Sequence, residues 1–112
     1  CVDPRWGRIA ETFGESPYAA SVFAAASVTG FQEGPDGIAA CLKHYVGYGA
    51  SEGGRDYSSV EIAPQRLWEM HLPPFEAGIR AGALTVMSAF DDLDGVPASA
   101  NHYTLTEILR QP

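Results

Sequence analysis

Two short apolar runs, Ile38-Ala39-Ala40-Cys41-Leu42 and Leu84-Thr85-Val86-Met87-Ser88-Ala89-Phe90, constrain this chain more than any other feature. Each follows a helical pattern and a turn, and each ends abruptly in polar residues. A continuous apolar run of this length, bounded by turn signals, reads as a strand buried on both faces of a parallel sheet. The helices around the runs have their own signals. Ser16 caps a helix that Pro17 opens, and Val22, Phe23, Val28 and Phe31 carry it from Tyr18 to about Phe31. Gly34-Pro35-Asp36-Gly37 breaks it. Pro64 opens a second helical pattern through Leu67, Met70 and His71, which Pro73-Pro74 must bend or interrupt before it resumes through Phe75, Ile79 and Ala83. Thr104 and Glu107 make a capping box for a last helix. Residues 1–15, 45–62 and Asp91 to Gly95 read as loops, the second of them too rich in Gly and polar residues for a core element.

This alternation predicts an α/β chain with parallel strands and right-handed crossovers. Two strands cannot close a sheet, so the expected architecture is a partial (β/α)8 TIM-barrel of about two βα units, with its chemistry at the C-terminal ends of the strands. The length of 112 residues, with 46% hydrophobic and 19% charged residues, suits the core of one ordinary domain. The chain nevertheless begins at Cys1 and runs out inside a helical pattern, Glu107 to Pro112. Residues 1–112 are therefore read as a fragment of a single barrel domain, with no complete domain present.

Charge and composition exclude several partners. A formal net charge of −7 has the wrong sign for broad contact with nucleic acid or an anionic lipid surface. No apolar run approaches the roughly 20 residues that span a bilayer. Cys1 and Cys41 alone make neither a disulfide framework nor a zinc set, and Cys41 reads as a small buried residue of its strand. No HExxH, GxSxG, GxGxxG or phosphate-loop motif occurs, and neither a cofactor nor a metal is expected.

The polar residues after the strands are the candidates for chemistry. Lys43 and His44 directly follow the first run, where a buried strand fixes the backbone at the barrel mouth. They either face a site or merely solvate the strand end and pack a histidine. A Lys in that place also fits a Schiff-base aldolase. Arg55 lies on a glycine-hinged loop with Glu52 and Asp56. It offers a rigid fork of donors to a ligand, or a solvated ion pair. Asp91, Asp92 and Asp94 suggest acid–base chemistry or a metal, although Asp91 to Gly95 is above all good turn chemistry. His71 and His102 are lone histidines in helical contexts.

Seven colinear motifs then carry a resemblance. They are Asp3-Pro4-Arg5-Trp6-Gly7-Arg8, Glu15-Ser16-Pro17-Tyr18, Cys41-Leu42-Lys43-His44-Tyr45, Glu52-Gly53-Gly54-Arg55-Asp56-Tyr57, Leu72-Pro73-Pro74-Phe75, Val86-Met87-Ser88-Ala89-Phe90 and Gly95-Val96-Pro97-Ala98-Ser99-Ala100-Asn101. Over essentially its whole length the chain resembles the N-terminal barrel domain of glycoside hydrolase family 3, β-glucosidase type. The resemblance implies retaining hydrolysis of a terminal β-D-glucosyl residue from an oligosaccharide or glucoside. It also implies that Arg8, Lys43, His44 and Arg55 hold the sugar's hydroxyls, that Phe90 walls the pocket where relatives often carry Tyr, and that a cis peptide joins Lys43 to His44. The family's nucleophile follows the last helix and its acid/base comes from a later domain, so no catalytic residue is expected within residues 1–112, and the segment alone is expected to be inactive. At Asp91 and Asp94 the commoner family residue is Asn. The partners implied are the β-linked sugar and the remainder of a longer chain, and a periplasmic or secreted location follows by resemblance. A β-xylosidase, or a non-catalytic sugar-binding or structural piece, are the alternatives.

Overall fold

The computed structural model describes Cys1 and residues 3–110. Helix α1, Pro17–Gln32, begins as its sequence dictates, with the Ser16 hydroxyl accepting from the Ala19 amide. Strand β1, Cys41–Tyr45, pairs in parallel with β2, Thr85–Ser88. Between them run a short helix α2, Pro64–Arg66, a widened turn over Leu67–His71, and helix α3, Pro73–Arg80. α3 packs against α1 and β1. The order is that of two βα units, and the α/β expectation holds.

The boundaries correct the sequence reading. β1 starts three residues after Ile38, because the first backbone donors of the run serve the end of α1. The Ile38 amide donates to the Phe31 carbonyl at 2.7 Å, and the Ala40 amide to the Gln32 side chain at 3.0 Å. Gln32 also donates to the Gly82 carbonyl at 2.8 Å, so one amide ties the beginnings of both strands. Neither strand is buried on both faces: alternate residues of β1 and β2 stand exposed, Cys41 among them. The helical pattern is interrupted at Leu72, just before Pro73-Pro74, as expected. The turn before it widens, with the Leu72 amide reaching the Leu67 carbonyl at 3.0 Å, which absorbs the missing donors.

The largest correction is the segment 45–62. Tyr45, Val46, Val60 and Ile62 are buried with Leu67, Leu72 and Leu93 in the main core. Tyr48 joins Trp6, Ala89 and Ala98 in a second one. The segment is polar on average but deposits its few apolar side chains inward at turns. The acidic loop likewise holds a small antiparallel ladder, β3, Asp92–Leu93, with β4, Val96–Pro97. The last helical turn, Tyr103–Ile108, is not opened by a Thr104–Glu107 box. His102 is already helical, the Asn101 side chain accepts from the Thr104 amide at 3.1 Å, and Glu107 instead faces His102 at 3.3 Å. Gln111 and Pro112, the end of the expected helical pattern, lie outside the described residues.

Candidate functional site

The site grows from the C-terminal end of β1. The Lys43–His44 peptide is cis, and so is Tyr45–Val46. Lys43 and His44 line a cleft of about 190 Å³ whose other walls include Trp6, Arg8, Glu11 and Tyr48. Arg8 comes from the N-terminal loop, which is locked in place by a close approach of backbones. A Cβ on Gly54 would lie 2.8 Å from the Trp6 nitrogen, and Gly54 itself is left-handed at φ 69°. Only glycine lets the two loops meet there.

Arg8 is the best-fixed donor of the cleft. Its guanidinium holds Glu11 through two bonds of 2.7 and 2.6 Å and donates to the Tyr48 hydroxyl at 3.1 Å. It also lies 5.3 Å above the Tyr48 ring. The Glu11 bonds raise the Arg8 pKa, and Arg8 in turn lowers that of Glu11. His44 is pushed below its ordinary value by burial, and further by Lys43 and Arg8. Its imidazole is thus neutral at pH 7, able to donate from one nitrogen and accept at the other. His71, also in the lining, is lowered to about 4, chiefly by burial.

Aromatic rings extend the wall. Trp6 meets Tyr48 edge-on at 4.9 Å, Tyr48 meets Phe90 at 4.7 Å, and Phe90 contacts His44 at 6.1 Å and Tyr57 at 4.9 Å. Phe90 lies two residues past the end of β2, so neighbouring strands bring the His44 and Phe90 rings together. Behind them, Ser51 Oγ lies 2.8 Å from the Tyr48 carbonyl oxygen and 2.9 Å from Asp91 Oδ2.

Of the five residues expected at a sugar pocket, Arg8, Lys43 and His44 share one cleft, and Phe90 packs on two of its rings. Arg55 stands exposed outside that lining. Its neighbour Asp56 is exposed as well but accepts from the indole of the buried Trp6 at 3.0 Å, and its carboxyl is held below the usual range by the Tyr48 hydroxyl and by that indole. Sequence reasoning missed Tyr48 and Asp56 as site residues. The acidic run also divides. Asp92 does turn chemistry, accepting from the Gly95 amide, whereas Asp94 accepts from the Ile62 amide of the 45–62 segment. Asp91 is buried and does none of it. Among the described residues no group of side chains is arranged to hold a metal ion, and no helix is long and apolar enough to cross a membrane.

A chain with these features is similar to several known proteins. It is 39% identical over 112 residues to the periplasmic β-glucosidase of Salmonella typhimurium, which covers 96% of this chain and 15% of that protein. It is 37% identical over 115 residues to a putative β-xylosidase of Formosa agariphila, again 96% of this chain and 15% of the relative. The solved β-glucosidase of Erythrobacter marinus superposes with a TM-score of 0.96 at 41% identity, over 99% of this chain and 16% of that one. The chain thus spans about one-sixth of the proteins it matches. The sequence model of the glycosyl hydrolase family 3 N-terminal domain matches residues 1–112, so the fold, the motifs and the relatives agree that this chain belongs to glycosyl hydrolase family 3, within its N-terminal domain.

Proposed function

We propose that residues 1–112 are part of a single barrel domain and supply the sugar-binding wall of a retaining β-glycosidase that removes terminal β-D-glucosyl residues from oligosaccharides or glucosides. One observation carries this reading: Arg8, Lys43 and His44 converge on one cleft beside the Tyr48 and Phe90 rings. A sugar ring offers many oxygens and no charge, so fixed donors orient it while aromatic faces cover its apolar side. Arg55 is proposed as a further contact from its exposed loop. The carboxylates near the cleft already have duties, Glu11 toward Arg8 and Asp56 toward Trp6. The nucleophile and the acid/base are proposed to come from elsewhere in a longer protein. The reaction needs no cofactor.

The glucoside is favoured over the xyloside by the Glu52-Gly53-Gly54-Arg55-Asp56 loop, whose form is that of the β-glucosidase branch. A β-xylosidase is the second reading, supported by the Formosa agariphila relative. A location in the periplasm or outside the cell is proposed from the likeness to the Salmonella typhimurium protein. The test is hydrolysis of chromogenic β-glucoside and β-xyloside by the full-length protein and by residues 1–112. The full-length protein is expected to turn over the glucoside faster, and the segment neither. Hydrolysis by the segment alone would place a catalytic pair within it and overturn the assignment.

A further inference from the structure

Among the described residues, Asp91 is the one side chain near the site whose hydrogen bonds do not balance. It is 5% exposed, and its Oδ1 is buried without a partner. Its Oδ2 lies 2.9 Å from Ser51 Oγ, which also lies 2.8 Å from the Tyr48 carbonyl oxygen. A serine hydroxyl has one hydrogen. If Asp91 is a carboxylate, two acceptors compete for that hydrogen and one buried oxygen goes unsatisfied, beside an uncompensated charge. If Asp91 carries a proton on Oδ2, the competition ends: Asp91 donates to Ser51, Ser51 donates to the Tyr48 carbonyl, and Oδ1 is left as a neutral carbonyl oxygen rather than part of a buried charge.

We propose that Asp91 is a positioning residue that works as a neutral carboxylic acid, heading a one-way relay through Ser51 to the Tyr48 backbone and so holding Phe90 and Tyr48 together at the cleft. The geometry gives the relay its reach. Asp91 adjoins Phe90 at the end of β2, and its carbonyl accepts from the Ala98 amide at 3.0 Å, so it cannot shift without moving that turn. Tyr48, at the other end, carries the bond from Arg8. The surroundings agree. Burial raises the Asp91 pKa more than the Ser51 hydroxyl and the Asp91 amide lower it, and the charged groups that act on it, Asp56 and Asp92, are both acidic and raise it further. The cations of the cleft, Arg8 and Lys43, act on Glu11 instead. The relay is whole below the ionisation of Asp91 and broken above it, since a raised pKa favours the protonated form on the acid side.

The inference rests on the sugar-binding reading, and its test separates the two. In the full-length protein, KM for an aryl β-glucoside should rise about fivefold as pH climbs through the ionisation of Asp91, the size of one net hydrogen bond. Asp91→Asn keeps a donor toward Ser51 at every pH and should remove that rise relative to the parent. Ser51→Ala severs the relay and should raise KM about fivefold on the acid side, with kcat changed less. Infrared difference spectra should contain a protonated-carboxyl band on the acid side that is absent from Asp91→Asn. Superimposable KM profiles for the parent and Asp91→Asn, or no such band, would overturn the relay. A full-length protein that hydrolyses no β-glycoside but has the band would overturn the function and leave the relay standing.

Discussion

Arg8 illustrates how one residue gathers several constraints. Its guanidinium spends one edge on Glu11, one nitrogen on the Tyr48 hydroxyl and its face on the Tyr48 ring. A lysine is a point charge on a flexible stem and reproduces none of this fork. In the full-length protein, Arg8→Lys should raise KM for a β-glucoside by about tenfold, the size of one lost charge-assisted bond. The Glu11 side chain is 55% exposed, so the same variant should leave the thermal midpoint nearly unchanged. Initial-rate kinetics beside a thermal melt check both halves. The residue-level chemistry was legible where a motif named it: Arg8, Lys43 and His44 were singled out from the sequence and share the cleft. Asp56 and Tyr48 were not, because their roles come from hydrogen bonds across 40 to 50 residues of chain, to Arg8 and Trp6, which no local pattern encodes. Asp91 was read as turn chemistry like Asp92 and Asp94. Composition cannot tell which of three neighbouring acids is drawn inward, and the turn geometry decides it.

At the level of elements, the site depends on one loop resting on another. Gly53 and Gly54 are both left-handed, at φ 64° and 69°, yet they differ in what surrounds them. A Cβ on Gly53 would meet nothing closer than 3.8 Å, while one on Gly54 would meet the Arg5 and Trp6 backbone at 2.8 to 2.9 Å. Gly53→Ala should therefore cost about 1 kcal/mol, the strain of the left-handed region alone. Gly54→Ala should add an overpacking cost of about 1–3 kcal/mol. Denaturant melts of the two variants in the full-length protein measure the difference, and equal costs would mean that the loops part easily. The helices were readable from Ser16, Pro17 and the apolar spacing, and the alternation of helix and strand was correct. Strand limits were not, because Ile38 to Ala40 look identical to strand residues until the Phe31 carbonyl and the Gln32 side chain take the Ile38 and Ala40 amides. The 45–62 segment was misread for a related reason. Its buried residues, Val46, Tyr48, Val60 and Ile62, follow turns rather than a period of 2 or 3.6.

Across the whole molecule, burial is uneven. Tyr18 is 79% exposed, Leu84 70% and Ile38 63%, and the β1–β2 sheet has two strands and two open edges. Exposed apolar faces and unpaired strand edges are templates for association. Residues 1–112 prepared alone should therefore self-associate at micromolar concentration, read by light scattering. A monodisperse segment with a cooperative unfolding transition would contradict this. The same view gives Gln32 a meaning beyond its two hydrogen bonds. Its amide gauges the connection from α1 to β1 against the one from α3 to β2, and Gly37 has no room for a Cβ, which would sit 2.4 Å from the Gln32 carbonyl oxygen. That end of the sheet therefore tolerates neither insertion nor deletion. Length variation among natural versions of this segment should fall in the loops around the cleft, so that the molecule can change what it grips without changing how its strands are aligned.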